Sequence, residues 1–410
     1  MAITNIKVSN FKSFKDLDLN LGRFNVLVGA NASGKSNFTQ IFKFVRDIVI
    51  EGLDYAVSMQ GLEYLANVAA PRPRVVAVEV TSDYTGGGLL VAKSVWAETT
   101  ELTSHFELSL DGNGAGYKVT EDRITVAFDV VEGPGGKTRT RKKAGKPDRG
   151  TIEVSKHGQR MKQRVRIGRR ELPDKNVNPY LFLAPGKHLT KSMLTEGPYP
   201  QALMRTAWGI YDFDPKLAKK SDVMMGKPEL RENAGNLPLV LKSILGDPEK
   251  KRKFSNLIRD LLPFVEDLKT DRLADGALMF KLSESYQGDE YFPASLISDG
   301  TVNAIASVIA LYFENKDLVI LEEPERNIHP HLIPGLVEMM KDASRNKQII
   351  VTTHSPEIVR HAGVENLLLI SRDKEGFSTV SRPAEKRDVQ IFLENDLGLD
   401  EVFVQELWGM

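Results

Sequence analysis

Hydrophobic and polar positions divide the chain into three regimes. Residues 3–21 alternate, with Ile6, Val8 and Phe11 along one stretch and Leu17, Leu19 and Leu21 along the next, which predicts two short strands. The apolar run 24–28 predicts a third strand, and 36–49 carries a helical period. After Pro71-Arg72-Pro73 the chain turns to runs rich in β-branched and aromatic residues, at 74–80, 89–96, 105–110, 117–120 and 124–131. Gly86-Gly87-Gly88 and Asp111-Gly112-Asn113-Gly114 separate them, so the region reads as an antiparallel meander. Gly133-Pro134-Gly135-Gly136 opens a loop that closes near Gly150, and 151–155 and 165–167 resume strand pairing.

From residue 198 to about 275 the period becomes helical, best at 237–245 and 254–262. No sustained heptads and no internal repeat occur, so no long coiled-coil arm is expected. The last third returns to α/β alternation. Strands are predicted at 318–321, 348–352 and 367–371, and a helix at 331–345 with Pro334 tolerated in its first turn.

Composition narrows the classes. The 410 residues contain 55 basic and 55 acidic side chains and no cysteine, which excludes disulfides, thiolate zinc sites and a cysteine nucleophile. The N-terminus lacks a signal-peptide apolar core, and the run 304–313 is far shorter than the ~20 residues a membrane span needs. The expectation is a soluble, cytoplasmic protein with no membrane partner. The charge is unevenly spread, however. Between Lys137 and Arg170 fourteen basic residues face only Asp148 and Glu153, a local excess of +12 that the rest of the chain balances.

The candidate chemistry starts at Gly29-Ala30-Asn31-Ala32-Ser33-Gly34-Lys35-Ser36, which fits the phosphate-cradling pattern G-x-x-x-x-G-K-[ST]. A strand feeding a glycine loop that opens a helix aims several N–H groups and a positive dipole end at one spot. Lys35 is expected to reach the β- and γ-phosphates of ATP, and the Ser36 hydroxyl to ligate Mg²⁺. A second apolar strand ends in Glu322-Glu323. Glu322 is placed to hold Mg²⁺ or its water, and Glu323 to polarise the attacking water. A third ends in Thr353-His354-Ser355-Pro356, which puts His354 at a strand tip beside those acids. Finally, Leu296-Ile297-Ser298-Asp299-Gly300-Thr301 opens a helix. Ser298 there is either an ordinary N-cap or part of a second anion-binding helix end.

Together these residues resemble the ABC-type ATPase heads of the RecF/SMC class. More narrowly they resemble the stand-alone RecF-like "AAA family" ATPases found beside OLD-type and anti-phage systems. The resemblance rests on Ile6-x-Val8-x-Asn10-Phe11-Lys12-Ser13-Phe14 and on Gly29-x-Asn31-x-Ser33-Gly34-Lys35-Ser36-Asn37. It rests also on Glu322-Glu323-Pro324-Glu325 with His329-Pro330, and on Thr353-His354-Ser355-Pro356. Gly235-Asn236-Leu237 with Val240-Leu241 resembles a further segment of the subgroup. The likeness covers roughly residues 1–60 and 230–370.

The resemblance implies an α/β ABC-type P-loop ATPase head with an antiparallel β-rich N-terminal lobe and a helical insertion. It makes Gly29, Asn31, Ser33, Gly34, Lys35, Ser36 and Asn37 nucleotide ligands. Residues 297–301, with Ser298 and Gly300, take the place of the signature. Glu322 becomes the Walker B acid, Glu323 the catalytic glutamate and His354 the switch histidine, and the D-loop falls around Arg326 and Asn327. Two departures stand out: Glu322 replaces the usual Asp, and Asp299 stands where many relatives carry glycine. Gln60 is the best candidate for a Q-loop glutamine, with no motif to fix it. One P-loop and one signature per chain imply a head-to-tail homodimer or a higher even oligomer.

The implied organisation is an N-terminal part of the head at 1–132 and a basic loop with strands at 133–175. A mainly helical insertion follows at 176–290, then the C-terminal part of the head at 291–385 and a tail at 386–410. The basic loop carries Lys137, Arg139, Arg141, Lys142, Lys143, Lys146 and Arg149 among glycines. It is a candidate contact to double-stranded DNA, and equally reads as a solvated loop or one that docks on an acidic protein. The tail is short and has no D-x-D, so a nuclease, if the system has one, is expected on a partner effector encoded nearby. The leading function is an ATPase that controls such an effector in anti-phage defence. The alternatives are a RecF-like repair or maintenance ATPase and an ATP-bound scaffold with slow turnover. A transporter motor fits the N-terminal motif and the double-Glu strand less well.

Overall fold

The computed structural model describes residues 2–67, 74–84, 88–92, 95–110, 116–131, 148–157, 160–173, 208–222, 226–286, 288 and 290–385. In chain order the first elements are β1 (Ile3–Phe11), β2 (Phe14–Asn20), β3 (Phe24–Val28), α1 (Lys35–Glu51), α2 (Leu53–Gln60) and α3 (Leu62–Leu65). There follow β4 (Arg74–Asp83), β5 (Gly88–Ala92), β6 (Val95–Leu110), β7 (Tyr117–Val131), β8 (Arg149–His157), β9 (Arg160–Ile167) and β10 (Arg170–Glu171). Next come β11 (Trp208–Tyr211), α4 (Pro215–Ala218), α5 (Leu237–Leu245), α6 (Pro248–Leu261), β12 (Val265–Arg272), β13 (Leu278–Glu284) and β14 (Phe292–Pro293). The last are α7 (Asp299–Tyr312), β15 (Leu318–Glu322), α8 (Ile333–Ala343), β16 (Gln348–Thr353), α9 (Pro356–Ala362), β17 (Leu367–Arg372) and β18 (Ser378–Ser381).

Two compact units interleave along the chain. One gathers residues 1–21, 40–206 and 373–379; the other gathers 22–39, 207–372 and 380–410. The first holds an antiparallel sheet in the order β10-β9-β8-β7-β6-β4-β1-β2, with β5 on β6. Its strands are longer than the sequence pattern suggests. The runs expected at 105–110 and 117–120 merge into β6 and β7, with partners through the polar stretch 98–104. Threonines there suit a pleated surface. A register shift between Thr99 and Glu101 moves the buried set from Ala97 and Thr99 to Leu102, Ser104 and Phe106. One extra residue thus flips the phase, which hides a 16-residue strand from a strict period-two reading.

The second unit is built on parallel strands in the order β11-β15-β16-β3-β17. All five residues of β3 and all six of β16 are buried, as expected of a parallel sheet covered on both faces. Asn25 sits inside β3 because its amide is satisfied at both ends. It accepts from Gly22 N–H and donates to Gly22 C=O, each at 2.8 Å. Helix α7 is buried on every side from Thr301 to Leu311.

The expected mainly helical insertion at 176–290 is corrected in part. Helices α5 and α6 are present, but residues 265–284 form the hairpin β12–β13, and 208–211 is a strand. Leu268, Phe280 and Leu282 alternate inward, and Gly276 takes a φ of 86° in the turn. The tail at 386–410 and all of 174–207 lie outside the described residues.

The segment before α5 has a structural reading. Asn236 is buried, its Oδ1 accepts from Arg231 N–H at 2.9 Å and its Nδ2 donates to Glu229 C=O at 2.7 Å. Asn236→Ala leaves two backbone groups without partners. The expected outcome is a loss of roughly 2–4 kcal/mol, read as a lower urea midpoint for the second unit by tryptophan and circular-dichroism signals.

Candidate functional site

Parallel pairing builds the site. The registers Leu321↔Val351, Glu322↔Thr352, Thr352↔Leu27 and Thr353↔Val28 set the carboxyl ends of β15, β16 and β3 side by side. The P-loop leaves β3, Glu322 and Glu323 end β15, and His354 follows β16. Ligand sites of open α/β sheets lie at such carboxyl ends.

Residues 29–34 form the loop that opens α1. Gly29 accepts no larger residue, since a Cβ there would lie 2.3 Å from the Ile370 carbonyl oxygen. Gly34 has a φ of 116° and Ala32 a φ of 62°, the conformations that turn the backbone around a phosphate-sized space. Gly29, Ser33, Gly34 and Lys35 are buried, whereas Asn31 and Ser36 are exposed and Asn37 is half-buried. The Lys35 ammonium donates to Gly29 C=O at 2.8 Å and Ala30 C=O at 3.1 Å. Burial pulls its pKa down, while Glu323 and Glu325 act on it in the opposite sense. An ammonium held only by carbonyls is a ready partner for an arriving phosphate. The donor set fits a triphosphate with Mg²⁺, for which the Ser36 hydroxyl and the Glu322 carboxylate could supply hard oxygen ligands.

Glu323 sits at the centre. Its φ is 45°, unusual for a residue with a Cβ, and its N–H is tied to Thr352 C=O at 2.8 Å. Oε1 lies 3.0 Å from His354 Nδ1, and Oε2 accepts from the Arg326 guanidinium at 3.2 Å. Burial alone would raise its pKa, but the hydrogen bonds from His354 and Arg326 outweigh it and hold the carboxyl below the usual range. Arg326 also reaches Asp212, just after β11, at 3.2 Å. Glu325 is buried and accepts from the Thr353 hydroxyl, which itself accepts from Ser355 N–H at 2.9 Å. Burial pushes the Glu325 carboxyl up, so next to Glu323 stands an acid of opposite tendency. A cavity of about 540 Å³ opens here, lined by Glu323, Glu325, Arg326, Asn327, His354 and Glu357.

The structure thus brings Glu323 and His354 together and places Lys35 close enough to feel Glu323. Ser298 and Gly300 are used locally. Ser298 caps α7 by accepting from Thr301 N–H at 3.1 Å. Gly300 packs on the turn after β15, where an added Cβ would lie 2.1 Å from the Asn327 carbonyl oxygen. Gln60 donates to Gln40 on α1 at 3.0 Å. Lys137, Arg139, Arg141, Lys142, Lys143 and Lys146 lie outside the described residues. Arg149 is exposed on β8, 3.4 Å from Asp129. Arg164 and Arg166 of β9 stand 3.7 Å from Glu153 and Glu171, so part of the local excess is compensated on the hairpin itself.

Sequence reasoning missed three partners. Asp212 braces Arg326, Lys219 pairs with Asp299, and Asn303 donates to Arg326 C=O at 2.7 Å. Only Asn303, a polar residue in an apolar helix run, gave a readable signal.

A family model described as "AAA domain, putative AbiEii toxin, Type IV TA system" matches residues 202–360, and one described as "AAA ATPase domain" matches residues 1–58. An uncharacterised Methanocaldococcus jannaschii protein is 27% identical over 95 residues, 22% of this chain and 25% of its own length. Protein ea59 of Escherichia phage lambda is 30% identical over 111 residues, covering 26% and 19%. Septu protein PtuA of Bacillus thuringiensis is 28% identical over 90 residues, covering 20% and 23%. The matches therefore span a quarter or less of these relatives. Among solved structures, an SMC head bound to the C-terminal winged-helix domain of ScpA has a TM-score of 0.48 at 14% identity, covering 93% of this chain and 98% of that one. The SMC head of Thermotoga maritima has a TM-score of 0.42 at 14% identity, covering 93% and 99%.

Gly300→Ala forces the Asn327 carbonyl and the turn behind Glu323 to move. A displacement near 1 Å costs on the order of 10²-fold in rate. The expected result is a comparable fall in turnover with ATP affinity nearly unchanged, measured by a phosphate-release assay beside a fluorescent-nucleotide titration.

Proposed function

We propose that this chain, an ATPase of the AAA and SMC/RecF-like type, hydrolyses ATP between two copies and uses its nucleotide state to control a partner effector in anti-phage defence. The observation that carries the hydrolytic part is the Glu323–His354 contact at 3.0 Å beside the P-loop strand. Lys35 neutralises the phosphates, and Glu323 takes the proton of the attacking water. His354 orients Glu323 and that water. Ser36 and Glu322 would hold Mg²⁺, which when bound would supply neutralisation of phosphate charge.

The dimer follows from counting. Ser298 and Gly300 head a helix whose N-terminus is a second anion-binding end, and each chain has one such end and one P-loop. Two complete sites need two chains related head to tail. The defence role is supported by the resemblance to OLD-like, anti-phage-associated ATPases and by the local likeness to a Septu protein. A nuclease-like effector and double-stranded DNA are the partners this reading assigns. No helix among the described residues is long and apolar enough to cross a membrane. A second reading, a scaffold with slow turnover, is favoured by one observation: both oxygens of Glu323 are already engaged.

Two experiments test the proposal. Glu323→Gln is expected to lower turnover roughly 10²- to 10⁴-fold and to trap an ATP-dependent dimer in size-exclusion light scattering. A variant that stays monomeric with ATP at micromolar concentration would falsify the two-copy site. Changing Arg141, Lys142 and Lys143 to Ala is expected to weaken DNA binding and flatten its salt dependence by about three charges' worth of slope. An unchanged slope in a fluorescence-anisotropy salt titration removes the loop as the DNA contact.

A further inference from the structure

The D-loop arginine holds a position that the hydrolysis reading leaves unexplained. Arg326 is about half exposed, yet its guanidinium spans two carboxylates, Asp212 on one side and Glu323 on the other, each at 3.2 Å. The second oxygen of Glu323 is therefore taken before any water arrives. A guanidinium stays protonated under all working conditions, so this occupation of the carboxylate oxygen does not lapse with pH.

The backbone that carries Arg326 is itself held by the signature helix α7. Asn303, buried on α7, donates to Arg326 C=O at 2.7 Å. Gly300, in the first turn of α7, touches the Asn327 carbonyl too closely for any Cβ. Asn327 has a φ of 64° and Glu323 a φ of 45°, so the turn between them is bent at both ends. Asp212, the other partner of Arg326, is tied to the same helix by a short path. Asp214 caps α4, and Lys219, just past α4, pairs with Asp299 at the start of α7. A shift of α7 therefore acts on Arg326 twice, through its own backbone and through the segment that holds Asp212.

We infer that Arg326 is a positioning residue that withholds Glu323 in the free chain and releases it toward Asp212 when the signature helix engages a nucleotide on a second copy. The inference rests on the reading of Glu323 as the base. An arginine suits this place because its planar fork offers separate N–H groups to the two carboxylates, Nη1 to Asp212 and Nη2 to Glu323.

The test is steady-state ATP hydrolysis by the full chain at nanomolar and micromolar protein concentrations. Arg326→Ala is expected to raise kcat at the dilute end roughly tenfold, the rate equivalent of one charge-assisted hydrogen bond. KM for ATP stays within about twofold, because the phosphate ligands are untouched. The dependence of rate on protein concentration flattens. Arg326→Lys, which keeps the charge without the fork, falls between wild type and Ala. A fall of kcat in Arg326→Ala at both concentrations overturns the inference, since the arginine would then assist the chemistry. Glu323→Gln separates the two readings. If it leaves turnover unchanged, the base assignment fails and this inference with it. If it abolishes turnover while Arg326→Ala brings no rise, the withholding role alone fails.

Discussion

Everything at the candidate site depends on the parallel pairing of β15, β16 and β3. A parallel ladder fixes which strand ends share a rim, and here the rim collects a phosphate loop, two acids and a histidine from places over 300 residues apart. The ladder is possible because the strands are mainly apolar and buried on both faces, and that burial leaves their polar tips facing the rim. Position and chemistry come from the same sequence runs. The apolar part is the address, and the residue after it is the reagent.

Around that rim the polar groups divide into those that are settled and those that are in tension. Asn25 and Asn236 are fully hydrogen-bonded and simply hold backbone in place. Glu323 and Glu325 are two residues apart and lean in opposite directions, one held ionised by its donors and the other pushed toward protonation by burial. Pairs of carboxyls whose surroundings separate their behaviour are a common mark of acid–base chemistry. The positive φ values at Glu323 and Asn327 add backbone strain at the same place.

Much of this was legible in the sequence. The glycine loop, the Glu-Glu strand end and the Thr-His tip could each be placed on a strand from apolar runs of five or six residues. β15 and β16, joined through α8, are parallel neighbours, as expected of an α/β alternation. The limits were physical as well. The bulge at Thr99 and Glu101 shifts the inward phase of β6, so a long strand reads as two short ones. The hairpin β12–β13 hides behind helical regularity because its apolar residues are few and its outward ones are charged. The brace Asp212–Arg326 was invisible, since neither residue's neighbours in the chain say that two strand ends 114 residues apart will meet.

The interleaving of the two units has a consequence for synthesis. Strand β3 emerges early, yet its partner residues in β16 lie about 325 positions later, at Ile349 for Phe24. At roughly 5–20 residues per second the ribosome needs on the order of 15–60 seconds to deliver them. During that interval a strand whose every residue ends up buried, and the phosphate loop behind it, have no ladder to join. The antiparallel sheet of the other unit, whose strands mostly pair with near neighbours in the chain, has time to close first. Assembly of this rim is thus a late event in synthesis, and a chain released before residue 353 carries the phosphate loop without the strand that should flank it.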